Sequence, residues 1–153
     1  MKSINFLKIL VNEKKLSLIE PSEEVSNSYL KKSESNLDSA KILLESDKLE
    51  ESVALAYYGM YNLLISLLFK TGIKCENHTG AIILLKEIFS IDNKDLLFAK
   101  KERVDKQYYV DFHITKAEVI EMIKIAEDFN KELYDFIAKL SNQKINEYLE
   151  KNK

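Results

Sequence analysis

Residues 53–69, VALAYYGMYNLLISLLF, run seventeen positions without a charged side chain, and the reading of that run decides the fold. A bilayer span needs ~20 apolar residues; this stretch is shorter and carries Gly59, Asn62 and Ser66. It reads as a buried helix, apolar on nearly every side, that other helices or a second subunit must cover. Tyr58, Asn62 and Ser66 share one stripe of the rod at i, i+4 and i+8. Polar groups there need partners, either on a neighbouring helix or in a ligand. Gly59 opens room for a close backbone approach. Asp47-Lys48-Leu49-Glu50 has capping-box spacing and marks the start of this helix, and Gly72 marks its end.

On the N-terminal side, Pro21-Ser22-Glu23-Glu24 opens another helix, with Ser22 as cap and acids in the first turn. It runs to about Glu45 with an apolar stripe of Val25, Tyr29, Leu37, Ala40 and Leu44. On the C-terminal side, GIKCENHTG (Gly72 to Gly80) reads as a loop and Ala81–Phe89 as a short helix. Asp92 or Asn93 caps a helix containing DLLFAKKERVDKQYY. Thr115 and Glu118 form a second capping box. The helix it opens carries an inward stripe of Val119, Met122, Ala126, Phe129, Leu133, Phe136, Ile137 and Leu140. Residues 141–153 are polar and read as a frayed helical tail. The sum is an all-α, antiparallel up-and-down bundle of four long helices plus a short one. It forms a single domain over 1–153 with its core at about 22–140.

Composition agrees with this. Three Gly and one Pro leave little turn chemistry for a multistranded sheet. A net charge of −2 gives no global attraction to nucleic acid or to an anionic membrane, so any such binding is local. One cysteine excludes an intrachain disulfide and fits a cytoplasmic location, and the N-terminus lacks the long apolar core of a secretion signal.

Of 23 basic residues, Arg103 alone is arginine. Guanidinium offers a planar fork suited to phosphate, carboxylate or an aromatic face, which lysine does not. Two readings stand: a structural ion pair with an aspartate, or an anchor for a bound anion. In the second, Tyr108 or Tyr109 stacks on a base or donates a phenolic hydrogen bond. Gln107 shares the Arg103 face, and Asp105 orients the guanidinium or faces solvent. Cys75 and His78 have the spacing of a metal pair, but no second pair completes a tetrahedral site, so no metal and no cofactor is expected. His78 reads as a group that caps or hydrogen-bonds the start of the short helix. His113 lies in the turn ahead of Thr115.

The order of these features resembles the HEPN domain family, in particular its small stand-alone archaeal members. The resemblance covers roughly residues 16–140. Its marks are Ala56-Tyr57-Tyr58 with Met60, the Gly72-to-His78 loop, and ERVDKQYY through Tyr109. It implies a helical bundle, usually homodimeric, with Arg-containing segments of both subunits lining a shared cleft. It also implies a two-component, toxin–antitoxin-like pairing with a small nucleotidyltransferase. Many members are metal-independent ribonucleases carrying Arg, four to six residues, then His. Here four residues separate Arg103 from Tyr108, and His113 lies farther on. A tyrosine with pKa ~10 exchanges protons poorly near neutrality. The resemblance therefore favours a dimeric binding protein that holds a nucleotide or RNA phosphate through Arg103. The alternative is a ribonuclease with a degenerate Arg103, Tyr108 and His113 site.

Overall fold

A computed structural model describes residues 2–108 and 113–151, with backbone alone for 105–108, 149 and 151. The elements in chain order are α1 (Lys2–Asn12), β1 (Leu16–Leu18), α2 (Glu23–Glu45), α3 (Leu49–Thr71), β2 (Ile73–Cys75), α4 (His78–Glu87), α5 (Lys94–Tyr108), α6 (Lys116–Ala138) and α7 (Asn142–Lys151). Four long helices, α2, α3, α5 and α6, make the bundle, and the expected all-α architecture holds. Ser22 and Thr115 cap as their spacing requires, accepting from Val25 N and Glu118 N at 3.1 Å each. Gly72 ends α3 at φ 83°, a left-handed backbone that favours glycine.

Several local expectations are corrected. Asp47 does not cap α3; it sits at φ 58°, and Lys48 precedes the helix without a side-chain cap. The Gly72-to-Gly80 segment is not all loop: Ile73–Cys75 pairs antiparallel with Leu16–Leu18, placing Ile73 opposite Leu18. The short helix begins three residues early, at His78, because Asn77 Oδ1 accepts from Gly80 N at 2.8 Å. Asp92 Oδ1 accepts from Lys94 N, while the Asn93 amide turns away to donate to the Ile82 carbonyl. Residues 142–151 form a separate helix that buries Ile145 and sets Tyr148 against Phe89, with ring centroids 5.0 Å apart.

Helix α3 is the centre. Sixteen of its 23 residues are buried within this one chain, from Ser52 to Thr71. The helix is long and apolar enough to cross a membrane, yet 83% of its most apolar window lies inside the protein. A single chain therefore covers the rod, and its apolar excess does not by itself call for a second subunit.

The α2–α3 contact rests on small residues. On α2 the buried positions are Ser26, Ser33 and Ala40; the larger Tyr29, Leu37 and Leu44 flank them, half-buried. Facing them on α3 are Ser66, Gly59 and Ser52. Both series step by seven, about two turns and ~10.5 Å of rise, so the antiparallel helices stay in register. Ser26 and Ser66 each donate to the other's carbonyl at 2.8 Å. Ser33 Oγ donates to the Gly59 carbonyl at 2.5 Å, and Ser52 Oγ to the Ala40 carbonyl at 2.6 Å. From α6, the Asn130 amide donates to Ser33 Oγ at 3.1 Å, tying a third helix to the same point.

Gly59 admits a side chain only if Leu37, the half-buried leucine across the seam, moves aside. A Cβ there would stand 2.8 Å from Leu37 Cγ and Cδ2. Gly59→Ala gains about 1 kcal/mol of helix propensity, but overpacking of this kind costs about 1–3 kcal/mol. Urea unfolding should show a net loss of stability; an unchanged or raised midpoint would contradict the tight seam.

Candidate functional site at the α3, α4 and α5 junction

Helix α3 places Tyr57, Tyr58 and Tyr61 toward α4 and α5, with Tyr57 fully buried, Tyr61 at 7% exposure and Tyr58 half-buried. The Asn77 cap fixes the first turn of α4, so His78 is held facing α3. Its Nδ1 lies 2.9 Å from the Tyr57 hydroxyl, and its ring stacks on Tyr61 with centroids 3.9 Å apart and planes 13° from parallel. On α5, Arg103 Nη1 donates to the Tyr58 hydroxyl at 2.7 Å. The guanidinium carbon lies 5.4 Å from the Tyr57 ring centre and 5.3 Å from that of Tyr58. Contacts of this kind contribute ~0.5–2 kcal/mol each, more as water is excluded. One turn earlier, Lys100 Nζ donates to Thr79 Oγ1 at 3.0 Å and stitches α5 to the start of α4.

The electrostatics follow from burial beside fixed cations. Burial pushes the Tyr57 phenol far above its usual range, against the pull of Arg103. Burial does the same to Tyr61, with Tyr57 adding to it. His78 is lowered from its usual 6.5 by burial first, then by Arg103 and Lys100. Near neutrality the imidazole is therefore uncharged and Tyr57 keeps its proton. The Tyr57 hydroxyl and His78 Nδ1 share one proton between them, in either tautomer of the neutral ring. Cys75 is also raised by burial, and its thiol contacts the Asn77 carbonyl at 3.4 Å. Cys75 and His78 thus spend their polar atoms on other partners. Among the described residues no group of three or more His, Cys, Asp or Glu is arranged to hold a metal.

Beside this cluster a cleft of about 600 Å³ opens between α2, α3 and β2, with Tyr29, Lys32, Asn36, Tyr58, Asn62 and His78 among its walls. Each residue of the stripe singled out in the sequence meets a neighbouring helix: Ser66 bonds Ser26, Asn62 Nδ2 donates to Asn36 Oδ1 at 2.7 Å, and Tyr58 meets Arg103.

The sequence named Arg103 but not its companions. Helix α5 is unbroken through Tyr108, so positions 103 and 108 stand about 140° apart around it. The phenols that meet Arg103 come instead from α3. His78 belongs to the cluster through Tyr57 rather than as the cap of α4. His113 is exposed ahead of α6. Asp105, Gln107 and Tyr108 fall in α5 by backbone, with their side chains outside the described residues, and Tyr109 lies outside them altogether. The signal for the missed partners was present in Tyr57-Tyr58, two phenols in a rod otherwise free of charge. Their long-range pairing was not.

The HEPN domain family model matches residues 26–144, from the first turn of α2 to the start of α7. A UPF0332 protein of Pyrococcus horikoshii, named PH1297, is 42% identical over 60 residues, 39% of this chain. That match spans 42% of the archaeal protein's length.

A histidine held neutral by the fold resists protonation. Its penalty is absent above pH 6.5 and grows as pH falls through the window between 6.5 and the lowered folded value. Acidification from neutral should therefore lower the melting temperature more in the parent protein than in His78→Gln. Parallel pH profiles for the two would show that His78 is not held neutral.

Proposed function

Because the chain belongs to the HEPN domain family, we propose that it is a dimeric binding protein whose Arg103 holds a phosphate of RNA or of a nucleotide. In the same proposal it is the HEPN half of a cytoplasmic two-component pair with a small nucleotidyltransferase. The single observation that carries the binding role is the mounting of Arg103. Its guanidinium is laid over two phenol rings and bonded to the Tyr58 hydroxyl, and Tyr58 in turn lines the neighbouring cleft. A planar cation oriented in advance loses little freedom when an anion arrives, which strengthens binding per contact. Lys100 supplies further positive charge in the same region. The bundle as a whole carries a net charge of −2, so such binding is local and steered by these few groups.

Support for two copies comes from the surface rather than from α3. Leu97 and Phe98 on α5 are each 44% exposed, and Ile120 on α6 is 52% exposed. Apolar side chains of this size on the helix that carries Arg103 suit an isologous contact.

A second reading has one observation in its favour. The family's ribonuclease pattern wants a histidine near the arginine, and His78 sits on Tyr57, whose ring lies beneath Arg103. In this reading His78, in place of Tyr108 or His113, exchanges the proton at a ribose hydroxyl while Arg103 stabilises the phosphate charge.

Fluorescence anisotropy with a single-stranded RNA should show Arg103→Ala weakening binding at least about tenfold, ~1.4 kcal/mol or more. Arg103→Lys should fail to restore it, because a point charge cannot keep both the Tyr58 bond and the ring contact. RNA affinity that ignores both substitutions sinks the phosphate reading. Cleavage of the same RNA, lost in Arg103→Ala and in His78→Ala, decides for the ribonuclease.

Sedimentation should find the parent chain as a dimer at micromolar concentration and Phe98→Glu as a folded monomer. A parent chain that sediments as a monomer removes the second copy from the proposal.

A further inference from the structure

The cleft between α2, α3 and β2 has a chemistry of its own, distinct from the guanidinium next to it. Its volume of about 600 Å³ falls in the range of small-molecule clefts, ~300–1,000 Å³. Tyr29, Tyr58, Tyr61 and His78 give it aromatic walls. Lys32 and Lys74 stand at its rim, with Lys32 Nζ 5.9 Å from the centre of the Tyr29 ring and Lys74 paired to Glu76 at 3.5 Å. At its side two carboxamides meet: Asn62, 7% exposed, donates through Nδ2 to Asn36 Oδ1 at 2.7 Å. That bond uses one donor and one acceptor. Asn36 Nδ2 and Asn62 Oδ1 remain, a donor and an acceptor on neighbouring side chains lining the same cleft, with no other protein partner among the described residues.

We propose that this cleft receives one unpaired nucleobase, and that Asn36 and Asn62 select which base it accepts. The inference takes its ligand class from the phosphate reading of Arg103 and extends it from charge to base identity. Flat aromatic side chains provide the stacking surface that unpaired bases use, and carboxamide donor–acceptor pairs match the polar edges of bases. Lysines at the rim fit the sugar–phosphate chain that must lead into and out of such a cleft. Tyr58 joins the two sites, because its hydroxyl accepts from Arg103 while its ring lines the cleft. A base in the cleft and a phosphate at the guanidinium are then neighbouring parts of one ligand. The shared chemistry is a base with its ribose, supplied by a free nucleotide or by single-stranded RNA.

Titration of the full chain with the four ribonucleosides, which carry no phosphate, tests this by calorimetry. One nucleoside should bind at least about tenfold more tightly than the weakest. Asn36→Ala should remove most of that preference. Asn36→Asp keeps an acceptor for Asn62 but turns the donor into a second, charged acceptor, so it should alter the preference in a chain that still folds. Mononucleotides and RNA should bind more tightly than the matching nucleoside, and Arg103→Ala should remove most of that difference. Comparing mononucleotides with short RNA then tells which source binds better. The proposal is overturned by the absence of nucleoside binding, by a preference indifferent to both Asn36 variants, or by binding of short uncharged peptides instead. RNA held through Arg103 with no nucleoside binding defeats the base site alone. Nucleoside binding with RNA affinity unmoved by Arg103→Ala defeats the phosphate reading alone.

Discussion

Four hydroxyl-to-carbonyl bonds, from Ser26, Ser66, Ser33 and Ser52, fasten α2 against α3 along a seam whose buried α2 positions and the α3 residues facing them are all Gly, Ala or Ser. Each bond contributes about 1 kcal/mol net, while a buried hydroxyl left without a partner costs ~1–3 kcal/mol. The seam is therefore valuable chiefly as a condition: close approach is stable only when every hydroxyl finds its carbonyl. A slip of α2 along α3 would break all four bonds and carry Leu37 off the space that Gly59 leaves for it. Everything else is hung on this pair, including α6, which reaches the same place through Asn130.

The seam also fixes what α3 can offer elsewhere. With one side given to α2 and another to α6, the helix has a limited arc left for Tyr57, Tyr58 and Tyr61, and that arc faces α4 and α5. Burial there keeps Tyr57 and Tyr61 protonated and His78 neutral. The result is a guanidinium laid against two phenol rings and bonded to the hydroxyl of one. A small β pairing, Leu16–Leu18 with Ile73–Cys75, closes the end of the cleft and sets where α4 begins.

Local chemistry was readable along the chain. Ser22 and Thr115 cap because a hydroxyl before an acidic first turn satisfies free backbone N–H groups, and Gly72 ends α3 because its φ of 83° suits glycine. The one-faced pattern of α6 likewise gave its buried stripe, since Val119, Met122, Ala126, Phe129, Leu133 and Ile137 are buried. The α2 stripe was incomplete. Ala40 is buried and Tyr29, Leu37 and Leu44 pack on the core as the hydrophobic pattern required, but it passed over Ser26 and Ser33, which are buried too. Serine scores as polar, and only the facing carbonyls of α3 turn it into a core residue. Asp47 misled, since a capping-box spacing does not ensure a cap when the backbone turns through a positive φ.

The amino-acid sequence by itself determined the helices, the central rod and the importance of a lone arginine, because these follow from local propensity, capping and charge. Tertiary structure alone decided what that arginine touches. Tyr58 lies 45 positions away and His78 reaches the cluster through Tyr57. Those pairings depend on how far apart the helix axes stand and how each helix is rotated. Both are set by the small-residue seam, whose energy comes from contacts between segments and leaves no periodic mark of its own in hydropathy.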